Sequence, residues 1–286
     1  MSQSLRQIKN RIRSVENTEK VTSAMQMVSS SKLNRMDGIL LNVKPYFRKL
    51  EEILNNMLTG IEGFKSPYIQ EPQTKTGKIC LCVIASDGGL CGVYNNNILH
   101  EAEDFIKEHG EENVKLVIVG KKGFNYFKKH PKLEIVNSYI GLTGRYSETA
   151  AKEILGLLTK IYLSGEADEV YIAYSHFVNA LTHKPKVEKL LNHTPREGKV
   201  YHYIYDPDRN TILEKLIPYF IGAKFRVSLL EAFASEHAAR TLAMKMATEN
   251  AEDMLQRLTI LRNKVRQAKI TEEMLEIISS AEALKG

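Results

Sequence analysis

An apolar row near the end of the chain restricts its fold more than any other feature. Ala251, Met254, Leu258, Leu261, Val265 and Ala268 follow alternating steps of three and four, the spacing of a helix that lies along another helix. Past Ile270-Thr271-Glu272-Glu273 the row resumes as Leu275, Ile278, Ala281 and Leu284. No catalytic constellation is spaced this way. A helix still apolar on one side at its tip is expected to insert into something.

The other end carries a matching pattern. Ser4 and Gln7 have capping-box spacing, and Leu5, Ile8, Ile12 and Val15 follow in steps of three and four, so a helix starts here. Val21, Met25 and Val28 continue one face, and Met36, Leu40, Val43, Phe47, Leu50, Leu54 and Met57 keep a four-three alternation. Near Lys32 the row skips a beat, as where a coiled-coil seam drifts. Pro45 is expected to bend this helix without ending it. After Asp206-Pro207-Asp208 the helical period returns through Leu216, Phe220, Ala223, Val227, Leu230 and Ala234, with Leu242 and Met246 extending it. Pro218 is expected to kink that helix or mark its effective start. At 1.5 Å per residue the two helices run roughly 80 Å and over roughly 100 Å. Isolated helices of that length cannot bury their apolar faces, so they are expected to wrap each other, antiparallel being simplest.

Between them the period changes. Gly60 to Gly77, with Pro67 and Pro72, reads as a linker. Strands at Ile79–Ala85, Val114–Val119, Leu133–Val136 and Glu169–Ala173 alternate with helices at Asn95–His109, Lys121–Lys129 and Ser147–Leu163, and Lys186–Leu191 adds an edge strand. That alternation implies a largely parallel sheet. The expected fold is α/β plus coiled coil: long antiparallel N- and C-terminal helices flanking an inserted Rossmann-like α/β domain. Its parts are a shaft helix at 1–59, a linker at 60–77, a globular domain at 78–206 and a second shaft helix at 207–286.

Charge is distributed unevenly. The net charge of the 286 residues is +6, but residues 1 to 35 hold Arg6, Lys9, Arg11, Arg13, Lys20, Lys32 and Arg35 against only Glu16 and Glu19. Between Met254 and Thr271 stand Arg257, Arg262, Lys264, Arg266 and Lys269 with no acid. Paired, the two segments present a positive surface. Cys80, Cys82 and Cys91 are an odd number without a signal peptide, which points to a reducing compartment. Cys80 and Cys82 have the spacing of small buried apolar residues on one strand face. No run reaches the roughly 20 apolar residues of a membrane span, so membrane association is expected only through a partner.

Few residues invite chemistry. Ser86-Asp87-Gly88-Gly89-Leu90-Cys91-Gly92 sits between a strand and a helix, where α/β domains bind phosphates. It lacks the Lys-Ser/Thr of a Walker loop and is not G-x-G-x-x-G, so it reads as a structural turn, with a phosphate or metal role for Ser86 and Asp87 as the alternative. Gly120-Lys121-Lys122-Gly123 reads as a solvated basic turn. His176 and His183, and His193 and His202, have no zinc spacing. No metal and no cofactor is assigned. The basic residues lack the aromatic interleaving or groove-reading motif of a nucleic-acid binder.

Four stretches resemble one family. Ile8 to Leu33, IKNRIRSVENTEKVTSAMQMVSSSKL, resembles the N-terminal helix of the γ subunit of F-type ATP synthase. Ser86 to Asn95 resembles its SDRGLCG loop, Ala234 to Asn250 (ASEHAARTLAMKMATEN) its C-terminal helix signature, and Arg266 to Leu284 (RQAKITEEMLEIISSAEAL) its terminal pattern. The resemblance implies a rotor that does no chemistry itself. Its paired helices would turn inside a hexamer of α and β subunits, with the lower shaft and α/β domain on ε and the c ring of a δ-containing complex. Ion flow would drive it on the cytoplasmic side of a bacterial plasma membrane, as a peripheral subunit. By the same resemblance Arg240, Arg266, Gln267 and Thr271 fall on contacts with β, Met25 on the neck where shaft and β meet, and Tyr205 on the foot facing ε and the c ring.

Three positions depart from the family pattern. Gly88 stands where arginine is common, Ser23 where lysine is common, and Ser280 where glycine is usual. No cysteine-bearing insertion of the chloroplast kind is present. The alternatives from other classes are an α/β nucleotide-binding enzyme with coiled-coil arms, using Asp87 and the glycine turn, and a helical nucleic-acid clamp.

Overall fold

The computed structural model describes residues 4–59, 61, 64, 66–69, 76–192 and 205–283. Most of the expected linker, together with His193 and His202, lies outside the described residues. Helix α1 (Leu5–Leu58) and helix α5 (Arg209–Ala283) enclose in sequence a five-stranded sheet with three shorter helices. The residues form two compact units, one joining Met1–Val28 with Thr241–Gly286 and the other Ser29–Arg240.

In the larger unit the strands are β1 (Ile79–Ile84), β2 (Val114–Val119), β3 (Glu134–Tyr139), β4 (Glu169–Phe177) and β5 (His183–Leu191). The order is β3-β2-β1-β4-β5. The first four are parallel, and β5 returns antiparallel to β4. Strand β1, at the centre, is buried along its whole length, as its unbroken apolar sequence requires for a sheet covered on both faces. Cys80, Cys82 and Ile84 point to one face, packed with α4 (Glu148–Leu163) and the inner stretches of α1 and α5. Leu81 and Val83 point to the other, under α2 (Tyr94–His109) and α3 (Lys121–Phe127). Burial pushes the Cys80 thiol up to about 12 and Cys82 further still, so both are inert apolar fillers.

Both long helices begin as their sequences dictate. Ser4 and Gln7 form the capping box: the Ser4 amide donates to Gln7 Oε1 at 3.0 Å and the Gln7 amide to Ser4 Oγ at 3.3 Å. Asp208 caps α5, accepting from the amides of Asn210 and Thr211 at 2.9 and 3.0 Å. Pro218 therefore does not mark the start of α5, and both Pro45 and Pro218 lie inside unbroken helices. The guanidinium of Arg209 donates to the carbonyls of Met57 and Thr59, so a cation closes the C-terminal end of α1.

The seam differs from its sequence reading on both helices. On α1 it does not skip at Lys32. Ile8, Ile12, Val15, Glu19, Thr22, Gln26, Ser29, Leu33, Met36 and Leu40 keep four-three steps throughout, every one buried or half-buried. Val21 and Val28, read from sequence as seam residues, are exposed. On α5 the row is Met244, Thr248, Ala251, Leu255, Leu258, Arg262 and Val265, while Leu242, Met246, Met254 and Leu261 stand outside it. The hydroxyls of Thr22 and Thr248 meet at 2.8 Å inside the smaller unit, and Ile8 and Ile12 pack with Leu258 and Val265. This is the antiparallel sense expected. A polar pair at a seam position fixes register, as single polar residues do in coiled coils.

Candidate functional site

The loop after β1 shows how its polar groups are spent. Asp87 lies where an anion would sit, and its own carboxylate takes that place. Oδ1 accepts from the Lys121 amide at 3.0 Å and the Gly141 amide at 3.1 Å, and Oδ2 accepts from the Thr143 amide at 2.7 Å. Three backbone donors, one of them the first residue of α3, thus hold a carboxylate already in the chain. Ser86 is buried, and its amide donates to Asn95 Oδ1 at 3.0 Å. Its hydroxyl reaches the Gly88 carbonyl and the same Asn95 oxygen. The Asn95 side-chain amide donates to Cys91 Sγ at 3.1 Å. The structural-turn reading holds, and neither Ser86 nor Asp87 is left to bind phosphate.

Gly120-Lys121-Lys122-Gly123 is more than a solvated turn. Gly120 has φ +98°, and a Cβ there would stand 2.2 Å from the Ala85 carbonyl oxygen. No other residue fits where β1 and β2 run out side by side. Lys121 and Lys122 do point to solvent.

The same loop is fastened to α5. Arg240 donates from Nε to the Gly89 carbonyl at 3.2 Å, and its Nη2 pairs with Glu236 Oε1 at 2.8 Å. His237, buried beside it, donates from Nε2 to the Gly144 carbonyl at 2.8 Å and faces Arg240 Nη1 through Nδ1 at 3.4 Å. A ring that donates through Nε2 and accepts through Nδ1 is the neutral tautomer. Burial pushes its pKa down to about 4. Glu236 is raised by burial, which the attraction of Arg240 only partly offsets. Gly144 makes the approach possible, since a Cβ there would lie 2.6 Å from the His237 ring. Lys32 adds a bond from Nζ to the Thr143 carbonyl at 3.4 Å. Sequence reading had no independent route to the Glu236–His237 part of this knot. Its one signal was three polar side chains inside a run of Ala, Phe and Leu.

A second buried network joins β4, β5 and the long helices. Glu231 accepts from Lys44 and His176 at 2.6 Å each, and Lys224 pairs with Glu188 at 2.9 Å. Burial would raise the Glu188 carboxyl, but Lys224 and Lys186 hold it at about 2. His176 is thus a hydrogen-bond partner of Glu231. Among the described residues no group of three His, Cys, Asp or Glu could hold a metal ion.

The six residues singled out from sequence fall in four places. Arg240 belongs to the knot, with only 11% of its side chain exposed. Tyr205 packs on the larger core, its ring 5.8 Å from the Arg209 guanidinium. Met25 is half-buried on α1. Arg266, Gln267 and Thr271 are exposed on α5, where the Thr271 hydroxyl donates to the Gln267 carbonyl at 3.0 Å. From Arg266 to Ala283 every residue is exposed, including Ile270, Met274, Leu275, Ile277 and Ile278. Gly88 carries no side chain toward Arg240, whose Nη2 would lie 3.6 Å from a Cβ there. Ser23 is half-buried. Ser280 donates to the Glu276 carbonyl at 2.7 Å within its own helix.

Fold and loops together define a class: a protein of two long helices with an inserted α/β domain whose loop after β1 closes on its own carboxylate. A family model described as ATP synthase matches residues 4–284. The ATP synthase gamma chain of Protochlamydia amoebophila is 39% identical over 99% of both chains, and that of Symbiobacterium thermophilum 35% over the whole of both. The chain belongs to the ATP synthase gamma-chain family. In fold it matches a chain of the Euglena gracilis mitochondrial ATP synthase with a TM-score of 0.68 at 16% identity, over 98% of this chain and 94% of that one. A chain of the Tetrahymena thermophila central stalk and c ring matches with a TM-score of 0.56 at 24% identity, over 79% and 99%. No described helix is long and apolar enough to cross a membrane.

Proposed function

We propose that this chain is the central rotor shaft of a bacterial F-type ATP synthase and carries no active site of its own. The observation that carries the reading is the likeness to gamma chains over 99% of both sequences. The paired ends of α1 and α5 turn within a hexamer of α and β subunits. Residues 78–206 and the lower shaft rest on ε and the c ring, at the cytoplasmic side of the membrane and peripheral to it. The shaft helices at 1–59 and 207–286 are its moving parts.

The local geometry supports these roles. Arg257, Lys264, Arg266 and Lys269 form an exposed basic collar on α5, and exposed charges attract at range yet hold weakly because water screens them. Such a collar follows an acidic partner loop around a circle without locking to it. The apolar tip makes a bearing with little directional bonding. Arg266, Gln267 and Thr271 are the contacts with β, with Met25 at the neck and Tyr205 at the foot. Arg240 reaches β only through the edge of its guanidinium left outside the knot. Coupling requires each β state to touch the shaft differently.

ATP hydrolysis by the purified chain and by a complex reconstituted with α and β subunits tests this. The chain alone is expected to turn over no ATP. Arg266→Ala with Gln267→Ala should lower turnover of the complex roughly thirtyfold, as two polar contacts of about 1 kcal/mol each imply. Turnover by the chain alone, or full activity in the double variant, would overturn the proposal.

A further inference from the structure

Within the larger unit, α1, α4 and α5 enclose an open cleft of about 540 Å³ to which none of the contact residues named above belongs. Its volume lies within the range of small-molecule sites. Val43, Leu155 and Phe225 line it, and Gly222 opens it. A Cβ on Gly222 would meet nothing nearer than Leu155 Cδ2 at 3.8 Å. Packing therefore does not require glycine at this mid-helix position, where it costs up to about 1 kcal/mol relative to alanine. What its missing side chain provides is volume.

The polar groups stand on either side of this floor. Tyr46 and Tyr219 share a hydrogen bond between their hydroxyls at 3.2 Å. Two turns further along α5, roughly 10 Å at 1.5 Å per residue, the Arg226 guanidinium lies 5.4 Å from the Tyr146 ring. Glu148, the acid beside it, accepts from the Tyr146 hydroxyl at 2.5 Å and lies 3.7 Å from Lys152. No hydrogen bond or close ion pair engages Arg226 among the described residues, and the Glu148 carboxylate attracts it from a distance, so its planar fork is oriented by an aromatic ring and open to solvent. A guanidinium presented in this way suits a carboxylate, which it can hold by two parallel bonds.

We infer that this cleft is a binding site for a small amphipathic carboxylate, with its apolar body on Leu155, Phe225 and the Gly222 gap and its head group on Arg226. Lys152 adds positive charge at the head-group end. Two cations against one acid, itself bonded to the Tyr146 hydroxyl and paired with Lys152, leave one net positive charge that selects an anion over a cation of equal size.

Fluorescence titration of the full chain, alone and assembled with α, β and ε subunits, with anilinonaphthalene sulfonate tests this, using octanoate and octyltrimethylammonium as competitors. Saturable binding of one probe per chain is expected in both forms, displaced by octanoate and not by the ammonium. Gly222→Leu fills the cleft and Arg226→Gln removes the fork. Each should weaken binding about tenfold, with thermal unfolding by circular dichroism showing that both variants stay folded. Absence of saturable binding, equal displacement by the cation, or unchanged binding in both folded variants would overturn the inference. Binding to the free chain that vanishes in the complex would also overturn it, by assigning the cleft to a protein segment.

Discussion

Two stretches of one helix, α5, live in opposite environments. From Leu229 to Ala239 every residue is buried, on all sides of the helix. From Arg266 to Ala283 every residue is exposed, again on all sides. Their local sequences do not announce this, since each mixes apolar residues with Glu and small side chains. The difference lies in what surrounds them. The first is packed among the sheet face, α1 and α4, and its polar side chains are answered by Lys44, His176, Gly144 and Arg240. The second leaves Ile270, Met274 and Ile277 exposed. One stretch holds the molecule together, and the other is available to act on something else.

The largest effect that can break this comparison is in the buried stretch. Phe233→Ala should lower stability by about 3–5 kcal/mol, the cost of truncating a fully enclosed aromatic, measured by urea unfolding of the isolated chain. A loss under 1 kcal/mol would mean that α5 is not clasped there.

Next comes the pH dependence of the knot. Burial holds the His237 pKa at about 4 against an ordinary 6.5, so below 6.5 the unfolded chain takes up a proton that the folded chain refuses. Stability should therefore fall as pH drops from about 6.5 to 4, by up to about 3 kcal/mol at one pKa unit per 1.36 kcal/mol. Lys32, Arg240 and Glu236 face the same ring. His237→Gln, whose amide can still donate to Gly144, should flatten this window in acid titrations followed by circular dichroism. A slope unchanged in the variant would place the sensitivity elsewhere.

The smallest effect belongs to the tip. Leu275→Ser should change the stability of the isolated chain by less than about 0.5 kcal/mol, as for a surface site. A larger loss would mean that the tip packs against the chain itself.

Much of this architecture was legible in the residues. The capping box at Ser4 and Gln7, the change of period between Met57 and Ile79, and the alternation of strands and helices each rest on a local rule that the structure obeys. The seam was read one position off in two places. Val21 and Val28, or Met254 and Leu261, are the more apolar candidates, but the packed positions are Thr22, Ser29, Leu255 and Arg262. Hydrophobicity follows the strongest side chains, while the geometry follows the seven-residue repeat, and at polar layers the two part. The Asp87 seat and the Glu236–His237–Arg240 knot were out of reach for another reason. Their partners are backbone groups of Gly89, Lys121, Gly141, Thr143 and Gly144, and backbone donors and acceptors leave no trace in a sequence. Arg240 was singled out by resemblance alone, and its internal bonds to Gly89 and Glu236 were not anticipated.

The central claim is that one helix carries both a locked middle and a tip that waits for a sleeve. Amide hydrogen exchange on the isolated chain and on the complex with α and β subunits tests it most directly. In the isolated chain Leu229–Ala239 should exchange only through near-global unfolding and Arg266–Ala283 orders of magnitude faster. On assembly the tip should become protected while the middle stays as it was. A tip already protected in the free chain, or one whose exchange is unchanged by assembly, would contradict the account.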